Sequence, residues 1–326
     1  MTLERHDYFG CFGILHFGDI EVTKRCVDNL FQLNQIEDCL ILILDNDLRK
    51  NAKEDFLRLY KSMHNVQVLK TEEKCGFSKA NNYLYEQCMP YNFRFIALLN
   101  NDIEIHQKNF IDNLMAIVNL DKYFIIGPDV YKPSTHEHQS PLALYYPGVE
   151  SINNNLMHMC REMLKSDDVI NHFIRQKKVI GLAHKFFPDF IFTLYRTVSH
   201  KTIVPLNYRQ SYEDCILSGA CLIFTNKFIN EESLPFYPET EFYFEEMILG
   251  LRCKMKGYKT LFTPKLKVYH KHSASSLQNV KSLIDYEKTV ANRMVASFEV
   301  LKKYEETNYF KSELSNENNQ SNKSKN

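Results

Sequence analysis

The run Cys39-Leu40-Ile41-Leu42-Ile43-Leu44 is continuously apolar and stops abruptly at Asp45-Asn46-Asp47. A strand that is apolar on both faces must be buried on both, as a central strand is in a parallel sheet covered by helices. A half-exposed strand would alternate instead. The pattern recurs at Phe95 to Leu99, which ends at Asn100-Asn101-Asp102. Helical stripes separate these runs: Val22, Cys26, Leu30 and Leu33 within Ile20 to Leu33, then Ala52 to Met63, then Ser78 to Cys88. With Tyr8 to Phe17 and Val66 to Leu69 as further strands, the first third reads as βαβ units, an α/β fold with a mostly parallel central sheet flanked by helices. Polar residues just past the strand ends then share one rim, where open parallel sheets bind ligands.

From about residue 140 to 210 the alternation breaks down, and Met157, Met159, Met163, Ile170 and Phe173 mark an inserted helical subdomain. Strand character returns at Cys221 to Phe224, followed by a helix from Glu245 to Met255 that Gly257 ends. Short strands at Thr260 to Phe262 and Lys267 to Tyr269 come next, the second ending at His270. Leu277 to Lys303 carries one long amphipathic stripe, a helical extension over 277–310. The segment 311–326 is a different case: Ser312 to Asn326 holds five Asn and four Ser with a single apolar side chain, which predicts a disordered tail.

Composition limits the function. Forty basic and forty acidic side chains balance, which disfavours a nucleic-acid binder. Nine scattered cysteines without a C-x-x-C pair read as reduced, buried thiols of a cytoplasmic protein rather than a disulfide framework or a zinc site. Met1 to Asp7 lacks the basic-then-apolar pattern of an export signal. The longest apolar runs fall well below the roughly 18 residues of a transmembrane helix.

Several segments could carry chemistry. Asp102 follows a buried strand, and a carboxylate there suits Mn²⁺ or Mg²⁺, which takes oxygen ligands and needs few protein groups when phosphates complete the shell. An Asx turn closing the strand fits equally. Asp45, Asn46 and Asp47 supply acceptors for a nucleobase imide or a ribose hydroxyl, or else a turn or helix cap. Gly76, Phe77, Lys79 and Asn82 join a strand to a helix whose first N–H groups can meet an anion. Phe242-Tyr243-Phe244 precedes Glu245 and Glu246, which complement the helix dipole or, if the aromatic segment desolvates one of them, form a general base. His270 and His272 lie beyond a strand end, where one could share a metal with Asp102.

Taken in order, these segments resemble the inverting glycosyltransferases of family 2, which have the GT-A (nucleotide-diphospho-sugar transferase) fold, and among them the rhamnosyltransferase-like enzymes of bacterial surface polysaccharide synthesis. The match runs from Tyr8 to Ser276, so the resemblance implies a catalytic domain over 8–276. It implies that Asp45 faces the base, that Gly76 to Asn82 line the nucleoside pocket with Asn100 and Asn101 nearby, and that Asp102 and His270 hold the metal. Gly219, Ala220 and Arg252 would neighbour the sugar and acceptor, and Glu246 would deprotonate the acceptor hydroxyl, with Glu245 as the alternative. Asn100 stands where the strictest metal motif has an Asp, and Met247 and Ile248 stand where a further acid often follows. The implied reaction moves a hexose from a UDP- or dTDP-sugar to a glycan or lipid-linked oligosaccharide. Two other readings are a catalytically inactive nucleotide-sugar-binding relative that acts as an assembly partner, and a nucleotidyltransferase, which the lack of a glycine- and basic-rich first loop disfavours.

Between Asn171 and Arg209, seven basic residues face one acidic residue, Asp189, among seven Phe and Tyr side chains. That composition suits peripheral docking on an anionic membrane surface, at about 1 kcal/mol per basic residue, or a second hydrophobic cluster.

Overall fold

Four strands, β1 (Gly10–His16), β2 (Cys39–Asp45), β3 (Val66–Lys70) and β4 (Phe95–Asn100), pair in parallel in the order β3-β2-β1-β4. The computed structural model describes residues 8–48, 51–73, 75–184, 206–271 and 282–323. All seven residues of β2 are buried, as its unbroken apolar run requires. Past β4 the sheet continues through β9 (Cys221–Thr225), β6 (Ile125–Lys132), β10 (Thr260–His270) and β5 (Ile103–Glu104). β9 is antiparallel to both β4 and β6, whereas β6 and β10 are parallel. Two-residue strands β7 (Glu137–His138) and β8 (Tyr212–Glu213) pair with β6 and β10. The result is a curled, mostly parallel α/β sheet.

Helices cover both faces. α1 (Ile20–Leu30), α2 (Ala52–Leu59) and α4 (Phe110–Val118) pack Val27, Phe56 and Leu114 against one side. α3 (Phe77–Cys88), α8 (Asn226–Glu231) and α9 (Glu245–Lys256) pack Leu84, Phe228 and Leu249 against the other. The insert forms α5 (Val149–Ile152), one π turn, α6 (His158–Lys165) and α7 (Asp167–His184). With α10 (Leu283–Lys323) it encloses a third core in which Met157, Met163, Ile170, Phe298 and Leu301 meet Phe244, Met247 and Ile248 of the α9 region. All nine cysteines are unpaired, and all but Cys75 are buried.

Two elements depart from the sequence reading. The expected pair of strands at 260–262 and 267–269 is a single strand with a register shift between Thr263 and Lys267, where Pro264 has no N–H to give the ladder. The segment from 312 to 323, expected to be disordered, continues α10, because extending an existing helix costs far less than starting one.

Phe298 is 2% exposed and packs edge-on against Phe244 at a centroid distance of 6.0 Å. Phe298→Ala should cost about 3–5 kcal/mol of folding stability, read as a lower urea midpoint. An unchanged midpoint would show that α10 is not integral to the fold.

Candidate active site

The rim at the carboxyl ends of β4 and β10 brings Asp102 and His270 together. His270 Nε2 lies 3.1 Å from Asp102 Oδ1, and the Lys271 N–H donates to the Asp102 carbonyl at 2.9 Å. On its other side, His270 Nδ1 meets Gln139 Oε1 at 2.5 Å. An amide oxygen can only accept, so Nδ1 donates in that bond, and Nε2 is the ring nitrogen that faces Asp102. Adjacent ligands about 2.1 Å from an octahedral ion stand roughly 3.0 Å apart, so this spacing fits Mn²⁺ or Mg²⁺. Among the described residues no group of three or more His, Cys, Asp or Glu forms a cation site. Asp102 and His270 would therefore need oxygens from elsewhere to complete a metal shell. His272 lies outside the described residues.

A second pair sits across the seam between β4 and β9. Register sets Leu99 opposite Cys221, and the Asn100 N–H then donates to the Ala220 carbonyl at 3.0 Å. One residue earlier, the Gly219 N–H donates to Glu246 Oε1 at 3.1 Å. A Cβ on Gly219 would stand 2.5 Å from that oxygen, so glycine is what lets the carboxylate approach. Two backbone hydrogen bonds thus tie the Asn100-Asn101-Asp102 turn to Glu246.

The entry to α9 is strained. Tyr243 (φ 75°) and Phe244 (φ 66°) both lie in the left-handed region, which costs non-glycine residues about 1–3 kcal/mol each. Burial of Phe244 in the third core offsets that cost. The turn gives the neighbouring carboxylates different environments. Glu245 is 3% exposed, its Oε1 has no hydrogen-bond partner among the described residues, and its pKa is pushed up to about 8, by burial first and then by the charge of Glu246, against the backbone N–H groups of Glu245 and Tyr243. Burial also raises Glu246, but its own N–H and that of Gly219 act in the opposite direction and favour its charged form. Glu245 thus holds its proton up to about pH 8, while the Gly219 N–H favours the charged form of Glu246. Met247 and Ile248 follow because this turn of α9 faces the third core.

Other candidates are engaged inside the protein. Asp45 is fully buried, with Oδ1 accepting from the Asp47 N–H at 3.1 Å and Oδ2 from the Lys53 N–H at 3.0 Å. Of its two readings, this is the turn and helix cap rather than a base-facing acceptor. Asp47 is buried beside it. The Asn46 amide spans Thr71 and Cys75 and fixes the loop after β3. Gly76 does permit a close backbone approach, but to Glu241, whose carbonyl oxygen would lie 2.6 Å from an added Cβ and accepts the Phe77 N–H at 2.7 Å. At the start of α3 the Phe77 N–H is thus taken up by the chain's own loop. Both ends of the Asn82 amide bond the Phe236 backbone at 2.9 Å, and Asn101 holds the Phe17 carbonyl and Thr23. Arg252, expected beside the acceptor, grips the carbonyls of Leu234 and Pro235 and packs over Phe228. Lys79 is exposed on the wall of a cavity of about 530 Å³ that Lys70, Cys75, Asn82 and Glu86 also line. This cavity adjoins the loop after β3, not the Asp102 centre.

Sequence reasoning missed Gln139 and Lys132. Both come from a connection whose neighbours are set only by the β6–β10 pairing, and neither stands in a motif. In the basic and aromatic stretch, Phe173 packs on the third core and Tyr208 stacks on His138 at 4.2 Å; residues 185–205 lie outside those described. No helix among the described residues is long and apolar enough to cross a membrane.

No protein-family model matches the sequence. Over 257 residues the chain is 19% identical to the uncharacterized protein y4gI of Sinorhizobium fredii, covering 78% of this chain and 24% of that protein. It thus spans about a quarter of that relative. Among solved structures, GalNAc-T7 with UDP, GalNAc and Mn²⁺ matches at a TM-score of 0.50 and 11% identity, over 82% of this chain and 45% of that one. S. aureus TarS 1-349 in complex with UDP-GlcNAc matches at a TM-score of 0.49 and 10% identity, over 81% and 58%. The likeness to GalNAc-T7 is one of architecture, and the fold is of the GT-A type.

The raised pKa of Glu245 links stability to pH. The folded chain holds a proton that the unfolded chain releases above the ordinary Glu value of 4.5, so stability falls as pH rises from there through about 8. Glu245→Gln should therefore gain on the wild type between pH 5 and pH 9, by at least about 2–4 °C in Tm. A gap that stays constant with pH would refute the protonated assignment.

Proposed function

We propose that this protein transfers a hexose from a UDP- or dTDP-sugar to a hydroxyl of a glycan or lipid-linked acceptor, with inversion at the anomeric carbon. The observation that carries this reading is the joining of the Asp102–His270 pair to Glu246 through the Asn100–Ala220 and Gly219–Glu246 hydrogen bonds. Such an arrangement sets a diphosphate-side centre and a base on one rim, as a single displacement needs. The GT-A architecture, with a neighbour solved with UDP, GalNAc and Mn²⁺, agrees with a nucleotide-sugar donor.

In this mechanism the ionised Glu246 accepts the proton of the acceptor hydroxyl. The acceptor oxygen bonds to C1 as the bond from C1 to the diphosphate breaks on the opposite face. Asp102 and His270 would hold a Mn²⁺ or Mg²⁺ ion, which when bound would supply Lewis-acid stabilisation of the leaving charge. Gly219 holds the base by its N–H, and neutral Glu245 keeps a second negative charge away from it. Residence at the cytoplasmic face of a membrane, with the basic and aromatic insert toward anionic lipid, is the setting that a lipid-linked acceptor would require.

One observation favours a second reading, a nucleotide-sugar-binding assembly partner without catalysis. Asn100 replaces a carboxylate, and the described residues offer only Asp102 and His270 to a metal. Metal-dependent hydrolysis of a UDP- or dTDP-sugar without acceptor separates the two, because a pure binder gives none.

A thermal-shift screen of nucleotide sugars with Mn²⁺ and Mg²⁺ should raise Tm for the cognate donor. Asp102→Asn should remove the metal-dependent part of that rise. Glu246→Gln should keep the shift but lose transfer by roughly 100-fold or more, and near wild-type transfer would eliminate Glu246 as the base.

A further inference from the structure

Lys132 ends β6, one step beyond the Tyr131–Tyr269 register pair, which sets it beside His270 on the neighbouring strand. Strand side chains alternate, so Lys132 and His270 share one face while the rings of Tyr131 and Tyr269 meet on the other, 6.1 Å apart. In-register neighbours have Cβ atoms about 5 Å apart, so the lysine stem ends in the vicinity of the Asp102–His270 pair. Its side chain is half-buried, yet it makes no hydrogen bond or ion pair to a described residue. The charges of Glu137 and Asp102 act on it only at longer range, and burial lowers its pKa. Glu137 is itself buried and accepts from the Thr135 hydroxyl at 2.7 Å. A partly desolvated ammonium without a contact partner is unfavourable unless an anion meets it.

Building on the donor reading above, we propose that Lys132 binds the diphosphate of the nucleotide donor directly, supplying positive charge beside Asp102 and His270 where this site has only one carboxylate. The ammonium donates to phosphate oxygens as a charge-assisted hydrogen bond. The same charge repels a divalent ion arriving alone, so metal and nucleotide enter together, each lowering the cost of the other. Lys132 is a positioning and charge-balancing residue in this scheme and takes no part in proton transfer.

The test is calorimetric titration of UDP, dTDP, ADP and GDP into wild type, Lys132→Met, Lys132→Gln and Lys132→Arg, in EDTA and in Mn²⁺, with Mn²⁺ alone titrated in parallel. For the tightest nucleotide in EDTA, Met and Gln should weaken binding by roughly tenfold or more, and Arg should stay within about threefold of wild type. Mn²⁺ alone should bind the Met and Gln variants at least as tightly as wild type, which a merely structural lysine would not produce. Folded Met or Gln variants that bind the nucleotide like wild type in both conditions would overturn the role of Lys132 and leave the donor reading standing. A wild-type protein that binds none of the four nucleotides even with Mn²⁺ would overturn both.

Discussion

The antiparallel seam between β4 and β9 is the contact on which the site depends. β4 closes the parallel half of the sheet, and β9 begins the half whose Gly219 holds Glu246, so the Asn100 N–H to Ala220 carbonyl bond links the two at the rim. Both strands are buried apart from the rim residue Asn100, which makes their backbone hydrogen bonds costly to break and their register firm. A one-residue slip would turn every side chain of β9 to the opposite face and carry Gly219 away from Glu246. The geometry of Glu246 is thus set by sheet pairing some distance in sequence from α9.

A different device sets the chemistry of the two glutamates. Consecutive left-handed residues before α9 are unfavourable alone, and they persist because Phe244 is locked against Phe298 and the insert. That lock buries Glu245, whose Oε1 has no hydrogen-bond partner among the described residues, and leaves Glu246 bonded to Gly219. The insert and α10 therefore act on the two adjacent carboxyl groups from the third core, by forcing them into unlike surroundings. Two adjacent acids in like surroundings would compete for the same proton; here burial raises both, the charge of Glu246 raises Glu245 further, and the Gly219 N–H favours the charged form of Glu246.

Much of the architecture was legible in the residues. Runs such as Cys39 to Leu44 announce buried strands, and Gly257 stops its helix in the left-handed conformation expected of it. Asp102 and His270 are metal candidates by residue type and position, and the fold brings them from distant segments to 3.1 Å. The polar residues near the other strand ends were less readable. Asp45, Asn46, Asn82 and Asn101 could serve a ligand or the backbone, and their identity does not say which. Their neighbours decide: each meets backbone or side-chain groups of its own or a distant loop, such as Phe236 for Asn82 and Phe17 for Asn101. Gly76 is an instructive case, since the inference of close backbone approach held while the approaching backbone was the chain's own.

By itself the sequence determined which segments are buried, their alternation and the residue types available at each strand end, because burial and periodicity are local properties of side chains. Only the tertiary structure decided which of those polar residues meet. The proton on Glu245, the hydrogen bond that holds Glu246, the grip of Arg252 on the 234–235 carbonyls and the place of Lys132 beside His270 all arise between segments far apart in the chain. Hydrogen bonds and charges act over a few ångströms of space, and sequence distance carries no information about that space until the sheet has set its order and register.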